Sequence, residues 1–324
     1  MIELVSQSVL ATVQDQGRFG SLKFGVGTSG AMDQLALAAG NLLLGNATTD
    51  AAVELQVFPM QWRFHEDMRF ALTGADTQAT LNGRPLPPWW VSQATRGDRL
   101  ELGRAVSGSR AYLCLPGGID VPAVLGSRST QLRGSFGGLD GRFLRQGDRL
   151  GPIRRQDRGR VDLGVVPPGC SMPLGEYGLT TVRVIPAAEY ACYRRASQAA
   201  FWAGEWKITS QSDRYGYRLT GEPLLTKTTL EVRSHGIVPG VIQVPPGGQP
   251  IIQMRDAQPT GGYPKFGTVI EADLWRLGQA PIGSRLRFLE TTYDEAVAAL
   301  AENRRWLQSV KRLVGIWGES ALSA

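Results

Sequence analysis

The chain has 324 residues, 42% of them hydrophobic and 20% charged, with 40 Gly, 19 Pro, 3 Cys and 2 His. That apolar fraction suffices for a packed core and excludes wholesale disorder, and the length is that of two ordinary domains or one large one. The net charge of +6 resides mostly in arginine, the lysines being only Lys23, Lys207, Lys227, Lys265 and Lys311; the arginines are scattered singly, which disfavours a nucleic-acid surface and suits a small anionic ligand.

The opening MIELVSQSVL has no basic stretch followed by an apolar one, so no signal peptide is expected, and the apolar stretch at about 35–44 is too short to cross a bilayer. The expectation is a cytoplasmic protein with no membrane and no nucleic-acid partner. A helix is predicted over about 31–44, with Leu35, Ala39, Leu42 and Leu43 on one face and Gly45 as its stop. Short apolar or alternating runs bounded by Gly, Pro and Asp then predict strands at 53–58, 68–73, 99–102 and 111–115. The stretch 151–173, rich in Arg, Gly, Pro and Asp and holding Arg154, Arg155, Arg158 and Arg160, reads as a linker. Strands follow at 182–185, 230–232, 241–244, 251–254 and 285–289, with a helix at about 188–201. A last helix over about 293–314 opens with Thr292 and Glu295 in capping-box spacing.

The fold class is therefore mainly β with a few helices. The expected division is a first domain over 1–155, a linker over 156–172, a second domain over 173–292 and a terminal helix over 293–324. A faint echo supports two related halves: Arg18-Phe19-Gly20 answers Arg214-Tyr215-Gly216, Val53-Glu54-Leu55 answers Leu230-Glu231-Val232, Ala75-Asp76 answers Arg255-Asp256, and Gly97-Asp98-Arg99-Leu100 answers Gly283-Ser284-Arg285-Leu286, all in the same order.

Rare residues narrow the chemistry. His65 and His235 are alone, and Cys114, Cys170 and Cys192 are far apart, so neither a metal site nor a disulfide frame is expected. Four segments concentrate polar groups beside glycine. Residues 13–33 carry Gln14, Asp15, Arg18, Ser29 and Asp33 ahead of the first helix, where Asp33 is either a ligand-facing group or a plain helix cap. Residues 117–138 carry Ser127, Arg128, Thr130 and Arg133, a hydroxyl- and guanidinium-rich loop suited to a carboxylate or phosphate. Residues 212–219 carry Asp213 and Arg214 as a potential ion pair, with Tyr215 and Tyr217 beside them. Residues 241–274 place Gln243, Gln253, Arg255, Asp256, Thr260, Tyr263 and Lys265 after apolar strands, where a rigid scaffold positions functional loops. Near misses are informative: GTSGA lacks the second Gly of a nucleophile elbow, and GEPLLTKT has Thr226 where a phosphate-binding P-loop needs Gly. No internal Met neighbours a Lys, so no biotinyl-lysine segment is present.

TVQDQGRFG, GVGTSGAMD, GGIDVPAVLGSRST, SDRYGYRL, IQVPPGGQPI and DAQPTGGYPK, in this order over about residues 3–290, resemble the KipA / allophanate-hydrolase-subunit-2 family, also described as biotin-dependent carboxyltransferase domains and as the C component of bacterial 5-oxoprolinase. The resemblance implies two cyclophilin-like β-barrel domains and a cytoplasmic ATP-dependent hydrolase acting on 5-oxo-L-proline. It implies as partners a KipI-like B component and a LamB/YcsF-like A component, with ATP as cofactor of the complex. Two alternatives accompany it: the carboxyltransferase half of a biotin-dependent urea carboxylase, or a non-catalytic regulator that binds a KipI-like kinase inhibitor. Under the hydrolase reading, Lys265, Arg255 and Arg214 are the candidate cations for a phosphorylated intermediate, and Asp213 or Asp256 the candidate proton-transfer group. Gln243 and Gln253 are candidates for holding the amide, and an arginine of 127–133 for holding the carboxylate.

Overall fold

Strands whose apolar residues alternate with polar ones need a partner layer for one face, and this chain supplies it in two ways. The computed structural model describes residues 1–7, 10–154, 162–176 and 178–319. Arg155, Arg158 and Arg160 lie outside the described residues, as does the start of the expected linker. Among the described residues the architecture is mainly β with five helices. Contacts divide it into two compact units: one of Met1–Arg18, Ser29–Met172 and Arg304–Ala324, the other of Phe19–Thr28 and Pro173–Asn303.

The first unit contains β1 (Ile2–Leu4), β2 (Ala11–Gln14), α1 (Gln34–Leu43), β3 (Ala52–Leu55), β4 (Met60–Phe64), β5 (Met68–Asp76), β6 (Thr80–Leu81), β7 (Arg84–Pro85), β8 (Trp90–Ala94), β9 (Arg99–Leu102), β10 (Ser107–Cys114), β11 (Arg149–Leu150) and the single turn α2 (Pro168–Ser171). One sheet runs β11-β1-β4-β9-β6-β7 and the other β2-β3-β10-β5-β8. Their apolar faces share one core, in which Met60, Trp62 and Phe64 of β4 join Phe70, Leu72 and Leu113. Helix α1 is buried along nearly its whole length, as expected of a helix that is apolar all round. Its close approach to β5 and β10 depends on Gly40, where a Cβ would fall 2.6 Å from Cys114 Sγ and 3.0 Å from Thr73 Oγ1.

The second unit holds β12 (Thr180–Pro186), α3 (Arg195–Ala203), β13 (Trp206–Ile208), β14 (Gly216–Thr220), β15 (His235–Gly236), β16 (Val241–Gln243), β17 (Ile251–Gln253), β18 (Thr260–Gly261), β19 (Lys265–Val269), α4 (Leu274–Gln279) and β20 (Arg285–Glu290). Seven strands close a barrel in the order β12-β19-β16-β17-β14-β13-β20, which leaves no unpaired edge. Helix α3 packs Phe201 on Phe288 of β20, stacked at 4.3 Å, and on Phe266 of β19 at 4.2 Å. Asp273, fully buried, accepts hydrogen bonds from Arg183 N, Nε and Nη2 at 2.8, 2.9 and 2.8 Å, tying the start of α4 to β12.

Helix α5 (Tyr293–Glu319) is split between the units at Asn303. The predicted capping box is present: Glu295 Oε2 accepts from Thr292 N at 2.9 Å, and Glu295 N donates to Thr292 Oγ1 at 3.3 Å. Two predicted elements differ. The helix expected at 188–201 is a 3-10 turn (Ala188–Cys192) followed by α3, because Tyr193 and Arg194 are extended and Tyr193 bridges to Thr226. Residues 230–232 are no strand; Leu230 and Val232 line an apolar cavity instead of joining a ladder.

Candidate functional site

The polar residues singled out in the first unit gather on Asp15. Its Oδ1 accepts from Gly17 N at 2.8 Å, Ser127 Oγ at 2.7 Å and Ser129 Oγ at 2.5 Å, and its Oδ2 accepts from Arg128 N at 2.6 Å. Arg18, fully buried, donates to the carbonyls of Val124 at 2.9 Å and Ser129 at 2.8 Å and lies over the Phe136 ring. Thr130 Oγ1 donates to Val13 O at 3.0 Å, and Arg128 Nε to Val121 O at 2.9 Å. Ser127, Arg128 and Thr130 therefore spend these groups on joining their loop to the segment 13–15 and on the loop itself. Asp33 is the helix cap: its Oδ1 accepts from Ala36 N at 2.9 Å, while its own N–H donates to the hydroxyl of Tyr112 at 2.7 Å. Burial and the neighbouring Glu54 carboxylate push that phenol well above its ordinary range.

In the second unit the relevant geometry is one row across four strands. Arg218 of β14 is the register partner of Ile251 of β17, Ile251 of Gln243 of β16, and Gln243 of Lys265 of β19. Directly opposed residues project from the same face of a sheet. The alternate residues Tyr217, Ile252, Ile242 and Phe266 are fully buried and form the core face, so Arg218, Gln243 and Lys265 share the opposite one. The hairpin between β16 and β17 is closed by PPGG, with Gly248 at a φ of 74° and its N–H donating to Pro245 O at 2.9 Å, a left-handed position that favours glycine.

This face carries a cavity of about 290 Å³, lined by Asp213, Tyr215, Arg218, Gln243, Gln253 and Tyr263 among others. Its floor is an amide pair. Gln253 Nε2 donates to Gln243 Oε1 at 3.1 Å, and both residues are at least 95% buried. Gln243 Nε2 is buried with no partner among the described residues, and a donor left so is destabilising unless a ligand meets it. Room for that amide comes from Gly261, where a Cβ would sit 2.5 Å from Gln243 Nε2. At the rim, Tyr215 OH donates to Gln258 Oε1 at 3.0 Å, and Arg218 is exposed. A second, more apolar cavity of about 600 Å³ shares Tyr263 with the first.

Asp213 and Arg214, expected as an ion pair, each have a partner elsewhere. Asp213 Oδ1 accepts from Tyr215 N at 2.8 Å and Gly216 N at 3.2 Å, capping its own turn. Arg214 reaches Asp256 instead, with Nε to Oδ2 at 2.9 Å and Nη2 to Oδ1 at 3.1 Å, both residues about 6% exposed. Such a bidentate pair spans elements far apart in sequence where adjacent side chains diverge. Arg255 Nη2 donates to Glu271 Oε1 at 2.9 Å. Tyr217 lies in the barrel core, and Thr260 is an exposed residue of β18. Lys265 Nζ contacts His235 Nε2 and lies 3.7 Å from Glu189 Oε1.

The structure adds Arg218, Gln258, His235 and Glu189 to the residues picked from the sequence. Alternation from Gly216 onward is the signal that puts Arg218 opposite the buried Tyr217; His235 enters the sequence reading only as a possible metal ligand. Among the described residues no cluster of His, Cys, Asp and Glu suits a metal ion, and no helix is long and apolar enough to cross a membrane.

Comparison with known proteins gives a consistent result. The profile of the carboxyltransferase domain, subdomain A and B, matches residues 24–290. The chain is 42% identical to the C component of 5-oxoprolinase from Haemophilus influenzae over 97% of this chain and 99% of that protein. It is 41% identical to the Escherichia coli protein of the same name, over 96% and 97%. The crystal structure of the K. lactis urea amidolyase superposes with a TM-score of 0.86 at 27% identity, covering 95% of this chain but only 20% of that one.

Proposed function

This chain belongs to the family of carboxyltransferase domains with subdomains A and B, and we propose that it works as the C component of an ATP-dependent 5-oxoprolinase. In that role it opens 5-oxo-L-proline to L-glutamate together with a KipI-like B component and a LamB/YcsF-like A component, in the cytoplasm. Identity above 40% along nearly the full length of two proteins named for that complex supports the assignment. The observation that carries it is the unpartnered, buried Gln243 Nε2 at the floor of a small polar cavity.

The substrate is a five-membered lactam bearing a carboxylate, and the lining matches those groups. Gln243 Nε2 donates to the lactam carbonyl, and Arg218 at the rim takes the carboxylate, a role that guanidinium geometry suits. At this cavity Arg218 is the carboxylate-holding candidate; in the loop 127–133, Arg128 Nε serves Val121 O. ATP, when bound in the complex, supplies the phosphoryl group that makes the lactam carbon electrophilic. This chain has Lys265 on the same sheet face as Gln243, a cation placed to offset the negative charge that develops on that oxygen. Asp213, exposed and lining the cavity, is the carboxylate placed to move a proton to or from the ring nitrogen or the attacking water. Asp256 has both oxygens committed to Arg214 and holds the loop instead.

A second reading, transfer of CO₂ from carboxybiotin to urea, is favoured by the likeness to the K. lactis urea amidolyase. The residues fit biotin in one respect: its ureido ring presents a carbonyl and N–H groups that an amide pair can meet. The test is reconstitution with candidate A and B components, following ATP-dependent glutamate release from 5-oxoproline. Gln243→Leu is expected to lower kcat/KM about 10- to 100-fold, the size expected for losing one buried hydrogen bond to a polar ligand, with a modest fall in thermal midpoint because Gln253 Nε2 loses its acceptor. No glutamate above the level of the A and B components alone defeats the hydrolase reading; biotin-dependent carboxylation of urea in its place establishes the second.

A further inference from the structure

The Lys265 amine does not stand alone. Lys265 Nζ contacts His235 Nε2 on one side, and Glu189 Oε1 lies 3.7 Å away on another. The opposite ring nitrogen, His235 Nδ1, is 2.8 Å from the carbonyl of Arg233. A carbonyl only accepts, so Nδ1 carries the hydrogen and Nε2 of the neutral ring presents its lone pair to the ammonium. His235 is placed by β15, where its register partner is Gly261, the residue that makes room for the Gln243 amide. The imidazole, the amine and the amide floor of the cavity are therefore linked through four strands, β15, β18, β16 and β19.

We infer that His235 is a positioning residue which, while neutral, holds the Lys265 ammonium in a fixed direction at the cavity face. This rests on the reading of Lys265 as part of the site. Of the three ammonium hydrogens, one goes to His235 and the side toward Glu189 is set by charge, so a remaining one is directed and available to an anionic oxygen. Protonating His235 removes the acceptor and sets two cations against each other, with Glu189 left as the attraction; Lys265 then swings away. Among the described residues, the charged group at ion-pair distance from the Lys265–His235 pair is Glu189 of the 3-10 turn.

The test uses the full chain and two variants, His235→Gln, which keeps a neutral acceptor, and His235→Leu, which removes it. Lys265 is labelled with acetic anhydride between pH 8 and pH 5.5, and its modification is read by peptide mass spectrometry as a ratio to Lys207, which is exposed on β13. In the native chain that ratio is expected to rise about threefold or more between pH 8 and pH 5.5. It should stay low and flat in His235→Gln, and high and flat in His235→Leu. A ratio indifferent to pH and equal in all three proteins overturns the inference, whatever the complex does. Turnover of the reconstituted complex reads the site assignment separately. His235→Gln should keep activity within about threefold and lose the acidic limb of the pH profile. If labelling behaves as expected but His235→Leu leaves turnover unchanged, the hold on Lys265 stands and the placement of Lys265 in the reaction falls.

Discussion

Replacing Asp15 with Asn changes one atom's character at the centre of the first unit's polar loop. Asp15 is about 6% exposed and accepts four hydrogen bonds, three at Oδ1 and one at Oδ2 from Arg128 N at 2.6 Å. Asparagine retains the Oδ1 contacts but sets an NH₂ donor against the Arg128 N–H. A hydrogen bond to a charged group contributes about 1.5–3 kcal/mol, and a buried donor left unsatisfied costs about 1–3 kcal/mol. These overlap, because both describe the same lost contact, so the net loss is set at about 3 kcal/mol. Urea denaturation measures it. Amide hydrogen exchange over 124–130 localises it, with Arg128 N expected to lose protection. Ser127→Ala in the same background provides a cycle: Ser127 Oγ donates to Asp15, so the two substitutions should couple by about 0.5–3 kcal/mol. A loss below about 0.5 kcal/mol, with unchanged exchange at 124–130, refutes the view that Asp15 organises this loop.

Two further outcomes follow from single contacts. Gly261→Ala places a methyl 2.5 Å from Gln243 Nε2 and 3.0 Å from Ile237 Cδ1; since the nearer atom is the end of a flexible side chain, stability should fall by only about 1 kcal/mol. The displaced amide should raise KM for the lactam in the reconstituted complex, and an unchanged KM would argue against the amide floor. Asp148 is held below the usual carboxylate range chiefly by its hydrogen bonds from Arg142, at 2.6 and 3.0 Å. A depressed carboxylate adds stability above its unfolded pKa of about 3.9, and that stability is lost as pH falls through the lower folded value. Asp148→Asn should therefore cost about 1–2 kcal/mol at pH 7, with the deficit shrinking below pH 4; urea melts at pH 7 and pH 3 check both parts.

How much of this is legible in the sequence depends on the distance between the groups involved. The β content, the cap of α1 by Asp33 and the Thr292–Glu295 capping box are local, and periodicity or spacing within a few residues marks each of them. Composition directs attention to guanidinium, amine and amide groups, and the dense segment 241–274 contains Gln243, Gln253, Tyr263 and Lys265, which line or flank the cavity. The break in the helix expected at 188–201 escapes a local reading because it is imposed by Tyr193 bridging to Thr226, more than thirty positions away. Arg214 has Asp213 as its sequence neighbour, yet its carboxylate comes from Asp256, since adjacent side chains in an extended segment point apart.

By itself the sequence determined what is encoded within single elements: alternation, caps, turns that need glycine, and the six motifs that carry the family resemblance. Only the tertiary structure decided which of those residues meet. The row Arg218–Ile251–Gln243–Lys265 exists because four strands pair side by side, with a register shift between β16 and β19 at Ile242/Gln243 that makes Lys265 rather than Phe266 the partner of Gln243. A one-residue slip in any of those pairings would move the slipped strand's side chain to the core face. Register is a property of the closed barrel rather than of any strand, so the site it creates cannot be read from one strand at a time.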